Sequence, residues 1–94
     1  MVVLINSFEV DEADAGAFLA AWKRVSAVME RRPGFVRTRL HRALAGSRFV
    51  NVGEWESEKA FESALESVEF QEAARGLAGL ATMSPGLYEV IYEV

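Results

Sequence analysis

The first nine residues after Met1, Val2 to Val10, are dense in β-branched and aromatic side chains, which fit the pleated surface of a strand. The pattern then changes period. Asp11 offers a capping oxygen, and Glu12 and Asp14 place carboxylates in a first turn, where a helix dipole favours them. Phe18, Leu19, Trp22, Val25, Ser26 and Met29 follow at helical spacing as one stripe. Arg31 and Arg32 suit the helix C-terminus, and Pro33-Gly34 ends it. Phe35 to Ala43 predicts a second strand, Leu44-Ala45-Gly46-Ser47 a turn, and Arg48 to Glu56 a third strand. Ser57 predicts the cap of a second helix carrying Ala60, Phe61 and Leu65. Ser67 restarts that helix after a kink, with Phe70, Ala73, Ala74 and Leu77 as its apolar positions. Met83-Ser84-Pro85-Gly86 reads as a loop, and Leu87 to Val94 as the last strand.

Two βα units joined by a hairpin give an α+β fold of βαββαβ order, the ferredoxin-like split motif. Its four-stranded antiparallel sheet carries both helices on one face. Strands one and three are neighbours at the centre of such a sheet, and both are apolar on two faces. Val3, Ile5, Val50 and Val52 then lie on the face away from the helices. Soluble monomers rarely leave such a face bare, so a homodimer is expected.

Ninety-four residues predict one domain, 1–94, with 51% hydrophobic and 26% charged residues. The net charge of −4 argues against general nucleic-acid binding. From Arg31 to Arg48, however, there are six arginines, one histidine and no acid. Either these keep a hairpin edge from pairing with strangers, or they attract an anionic ligand. The chain has no cysteine, hence no disulfide, thiolate metal site or cysteine nucleophile. The start lacks the form of a signal peptide, and no apolar run approaches the roughly 20 residues of a membrane span, so a cytoplasmic protein without membrane association is expected.

The chemistry available is narrow. His41 is the only histidine, and nothing beside it in sequence completes a metal cluster or a Ser-His-Asp set. No phosphate-binding glycine motif occurs. Glu58, Glu62 and Glu66 recur at four-residue spacing as a wet helix face, and Tyr88 and Tyr92 share a face of the predicted last strand. What remains is a set of polar groups in apolar company. Phe49, Asn51, Gly53 and Trp55 share one face of strand three, and Asn6 shares a face with Val2, Leu4 and Phe8 on strand one. If both faces look toward the helices, two amides and an indole N–H converge on the interior. They are either structural groups bonded to backbone or the polar contacts of a binding pocket. Trp55 could equally staple the turn into the second helix, and Gly53 marks either a hollow or a bulge. Arg75, among alanines, is either a solvated charge or a cation turned to the pocket. Phe18, Trp22, Phe49, Phe61 and Phe70 are the candidate apolar walls, with Asn6 beside them, and such a pocket would suit a flat aromatic.

The run Asn51-Val-Gly-Glu-Trp-Glu-Ser-Glu-Lys-Ala-Phe61, with Pro33-Gly34-Phe35 after the first helix, resembles the antibiotic biosynthesis monooxygenase family. By element order the resemblance covers essentially the whole chain. It implies a dimeric α/β barrel and a monooxygenase acting without cofactor or metal on a quinol-like or polycyclic, polyketide-type aromatic. In the quinone-forming branch, the asparagine, tryptophan and arginine positions that serve catalysis fall on Asn51, Trp55 and Arg75. The tyrosine position falls on Phe61, which lacks the hydroxyl. Heme-degrading relatives rely on a strand-one asparagine, a helix tryptophan and a helix histidine. Asn6 matches the first, but Ala64 and Ala74 stand at the other two, so heme cleavage is disfavoured. A non-catalytic small-molecule binding or sensing module of the same fold is the alternative to an enzyme, and an accessory domain that pairs with another chain is a third option.

Overall fold

The computed structural model describes all 94 residues. It has strands β1 (Val2–Glu9), β2 (Phe35–Arg42), β3 (Arg48–Trp55) and β4 (Thr82–Tyr88), and helices α1 (Ala15–Met29), α2 (Glu58–Leu65) and α3 (Val68–Ala74). The sheet is fully antiparallel in the order β2-β3-β1-β4, so β1 and β3 are central as the split motif implies. All helices cover one face, and the molecule is a slab only 17 Å through its thinnest dimension, one sheet plus one helical layer. No helix is long and apolar enough to cross a membrane.

Local chemistry explains most boundaries. Ser57 Oγ accepts from the Ala60 N–H at 3.1 Å, and Ser67 Oγ accepts from the Phe70 N–H at 3.2 Å, so each serine starts its own helix and the predicted kink is a break. Asp11 behaves differently from its predicted role. Its side chain caps nothing; its backbone carbonyl accepts from Asp14 N–H at 2.8 Å in a 3-10 turn, Glu12–Asp14, and α1 starts only at Ala15. Gly34 turns the chain from α1 into β2 at φ +87°, a conformation that a side chain disfavours.

The last strand differs most from expectation. Met83 to Gly86, predicted as a loop, lie inside β4, and of the predicted strand 87–94 only Leu87 and Tyr88 pair. The cause is position in the sheet. β4 is an edge strand, where a proline costs no ladder bond on its open side. Beyond Tyr88, which lies opposite Val3, β1 has almost no residues left to pair with. Val90, Ile91, Tyr92 and Val94 are consequently exposed.

Register places the inner-face side chains in four rows across the sheet: Phe35–Trp55–Val2, Thr38–Gly53–Leu4–Leu87, Leu40–Asn51–Asn6–Pro85, and Arg42–Phe49–Phe8–Met83. Aromatic clusters occupy the two ends. Phe18 of α1 sits 5.0 Å from both Phe8 and Phe49, ring centre to ring centre. At the other end Trp55 meets Phe35 at 5.4 Å and Phe61 at 5.7 Å, both edge to face. The two middle rows have no such filling.

The outer face carries Val3, Ile5, Val50 and Val52 at its centre, half-buried and without helical cover. Ion pairs flank them: Arg37 with Glu54, and Arg48 with Glu9. Two arginines of the basic segment are thus neutralised across strands, as a solvated hairpin requires.

Candidate functional site

The unfilled middle rows form the floor of a cavity of about 590 Å³ between sheet and helices, within the size range of pockets that take a drug-sized molecule. Its walls are mostly apolar: Trp22, Val25 and Met29 from α1, Phe61 and Leu65 from α2, and Phe70 and Ala74 from α3. Met83, Pro85 and Leu87 extend the wall onto the edge strand.

Few polar groups interrupt this surface. Asn6 and Asn51 are direct cross-strand partners on the floor. The Asn6 Oδ1 is buried and has no hydrogen-bond partner. Asn51 is buried, and its Oδ1 accepts from the Thr38 hydroxyl on β2. That leaves its Nδ2 as the donor end. A Cβ at position 53 would lie 3.8 Å from this nitrogen, so the missing side chain of Gly53 is the hollow over which the amide stands. Trp55, only 2% exposed, and Ser26 complete the polar or partly polar lining. No Asp, Glu, His, Lys, Arg or Tyr lines the cavity. The residues also include no grouping of His, Cys, Asp and Glu that could hold a metal ion. A planar molecule fits such a site by ring burial, with an oxygen meeting the amide donor of Asn51.

Of the residues singled out in the sequence, Asn6, Asn51, Trp55, Trp22, Phe61 and Phe70 meet around this cavity. Phe18 and Phe49 do not. They face inward as predicted, but lie in the core, where Phe18 packs on both Phe8 and Phe49. Arg75 is also outside the wall. α3 ends at Ala74, and the chain tightens into a 3-10 turn, Arg75–Leu77, that buries Leu77 and leaves Arg75 exposed. Of the alternatives for Arg75, the single chain adopts the solvated charge. Gly53 lies in regular pairing, and the register irregularity falls instead between Phe35 and Arg37 on β2, so the glycine is a hollow.

Two contributors were not identified from sequence. Thr38 stands between charged neighbours, Arg37 and Arg39, and only its two-residue offset from Leu40 marks it as inward. The β4 wall was hidden in the segment read as a loop.

Known proteins match this chain in sequence and in fold. The sequence profile of the antibiotic biosynthesis monooxygenase family matches residues 1–76. The deoxynogalonate monooxygenase of Streptomyces nogalater is 34% identical over 88 residues, covering 93% of this chain and 74% of that protein. The crystal structure of SnoaB, a cofactor-independent oxygenase from Streptomyces nogalater, superposes with a TM-score of 0.92 at 32% identity, covering 99% of this chain and 95% of that one. A structure from Nitrosomonas europaea named for the same family has a TM-score of 0.86 at 20% identity over 98% of this chain and 100% of its own, a likeness of fold alone.

Proposed function

This chain belongs to the antibiotic biosynthesis monooxygenase family, and from that premise we propose that it oxidises a flat, polycyclic phenol or hydroquinone of polyketide type with molecular oxygen, using no cofactor or metal. The observation that carries the proposal is the cavity itself: a wide apolar chamber whose hydrogen-bonding groups are gathered on one floor. The names of the Streptomyces nogalater matches, a monooxygenase and a cofactor-independent oxygenase, support the reaction class.

A wall without an ionisable side chain restricts the mechanism. The protein has no general base there, so the substrate must itself be acidic enough to ionise and donate electrons to oxygen. For a methylene flanked by phenolic rings, the balance is simple. Both C–H bonds are lost, one oxygen atom becomes the ring carbonyl, and the other leaves as water. The substrate alone supplies the four electrons. Asn51 Nδ2 and the Trp55 indole N–H donate toward the negative charge that develops on substrate oxygen, and exclusion of water strengthens both.

The test is oxygen uptake with a panel of anthrones and naphthohydroquinones. Asn51→Ala should reduce turnover by about 100-fold or more while weakening binding far less, because the donor matters most once charge has formed. Uptake no faster than the buffer blank across the panel would support the second reading, ligand binding without turnover. Phe61, which offers no hydroxyl to the cavity, is the observation favouring that alternative.

The partner proposal is a second copy of this chain over the outer sheet face. Val3, Ile5, Val50 and Val52 have no cover within the chain, and the exposed Val90, Ile91, Tyr92 and Val94 continue from the neighbouring edge strand. A homodimer through this face buries both sets at once.

A further inference from the structure

Resting on that reading of the cavity, we infer that Thr38 is a positioning residue, which decides which end of the Asn51 amide meets the ligand. A free asparagine side chain offers either its oxygen or its nitrogen to a pocket, and half a turn about its last torsion exchanges them. Here one orientation is held. The Thr38 hydroxyl donates to Asn51 Oδ1 across the β2–β3 ladder, so the oxygen is occupied and Nδ2 is presented. Asn51 is buried, so the amide nitrogen that Thr38 leaves without a partner is the group a ligand oxygen satisfies.

Gly53 belongs to the same device. It is the direct β3 partner of Thr38, and a Cβ at position 53 would approach Thr38 Oγ1 to 3.2 Å, tighter than an ordinary contact. The glycine therefore leaves the hydroxyl the space in which it reaches Asn51. Thr38 in turn is β-branched, with few rotamers on a strand, so the donor is held with little freedom to lose. The consequence is chemical selectivity. The floor offers a donor at this point, whereas a flipped amide would offer an acceptor and repel a carbonyl or phenolate oxygen.

The experiment compares Thr38→Val, which keeps shape and loses the hydroxyl, with Thr38→Ser, which keeps the hydroxyl. Two readouts are needed. The first requires no ligand: the side-chain amide signals of Asn51 in a nitrogen-15 NMR spectrum should be sharp and dispersed in wild type and Thr38→Ser, and broadened or shifted in Thr38→Val. The second uses fluorenone and fluorene, three-ring probes that differ by one carbonyl oxygen, with binding followed by tryptophan fluorescence. Thr38→Val should weaken fluorenone about 5- to 10-fold and leave fluorene unchanged. Thr38→Ser should restore the preference, and in an Asn51→Ala background Thr38→Val should have no further effect. Equal weakening of both probes, or persistence of the effect without Asn51, would overturn the inference in favour of a structural role. Unchanged Asn51 signals in Thr38→Val would overturn it as well. If wild type binds neither probe while the Asn51 signals respond as expected, the positioning stands and the aromatic-ligand reading of the cavity falls.

Discussion

Gly34→Ala should destabilise the protein severely, and the contributions can be separated. Position 34 has φ +87°, and its ideal Cβ would fall 2.4 Å from the Ala60 Cβ at the start of α2 and 3.9 Å from the Glu56 Cβ. The left-handed backbone costs an alanine about 1–2 kcal/mol. Pushing two carbon atoms apart in a packed junction adds about 1–3 kcal/mol. The displacement has no easy outlet, because the Glu56 N–H donates to the Gly34 carbonyl at 2.7 Å and ties the same residue to the end of β3. The sum, about 2–5 kcal/mol, is a large share of the roughly 5–15 kcal/mol of a typical domain. Urea unfolding followed by circular dichroism measures it. Ala60→Gly in the same protein removes the clash but not the backbone strain, so the double variant should be about 1–3 kcal/mol more stable than the sum of the two single variants gives, the cost of the new helix glycine cancelling in that comparison. An unfolding midpoint for Gly34→Ala equal to wild type would refute the reasoning, and strict additivity in the double variant would remove the steric part of it.

Three further outcomes are expected. Arg75→Ala should change oxygen uptake or probe affinity by less than about twofold, since its side chain is exposed and outside the cavity wall; a loss comparable to that of Asn51→Ala would show that the arginine reaches the ligand. Light scattering should give twice the chain mass, and Ile5→Asp on the outer face, or removal of residues 89–94, should shift the protein toward monomer; a wild type that remains monomeric at micromolar concentration would sink the dimer. Hemin with a reductant should keep its Soret band in the presence of the protein, because Ala74 brings no imidazole to the wall; enzyme-dependent bleaching would contradict that expectation.

The readable parts of the sequence were those governed by local periodicity. The α1 stripe, the two serine caps and the shared face of Phe49, Asn51, Gly53 and Trp55 all follow from spacing, and each is found. β4 was misread because Ser84-Pro85-Gly86 has turn composition, and only its neighbour on one side makes that composition acceptable. The inward direction of Phe18 and Phe49 was legible, but whether an inward ring fills core or lines a void depends on what stands opposite, here Phe8. Arg75 came from the family resemblance and from its place among alanines, neither of which says where its side chain points; it stands exposed in the 3-10 turn that follows Ala74. Thr38 carried almost no signal, since its role exists only once β2 lies beside β3.

The hollow between the two aromatic clusters has a practical consequence for finding the natural ligand. The fold draws its cohesion from the two ends of the inner face, while the middle contributes little until a molecule occupies it. Occupancy and folding are therefore thermodynamically linked: a ligand present at one hundred times its dissociation constant adds about 2.7 kcal/mol to the folded state. In a domain of this size that is a melting-temperature rise of roughly 10–20 °C. A thermal-shift screen of aromatic metabolites can therefore rank candidates without knowledge of the reaction, and a non-turning-over analogue registers as clearly as a substrate.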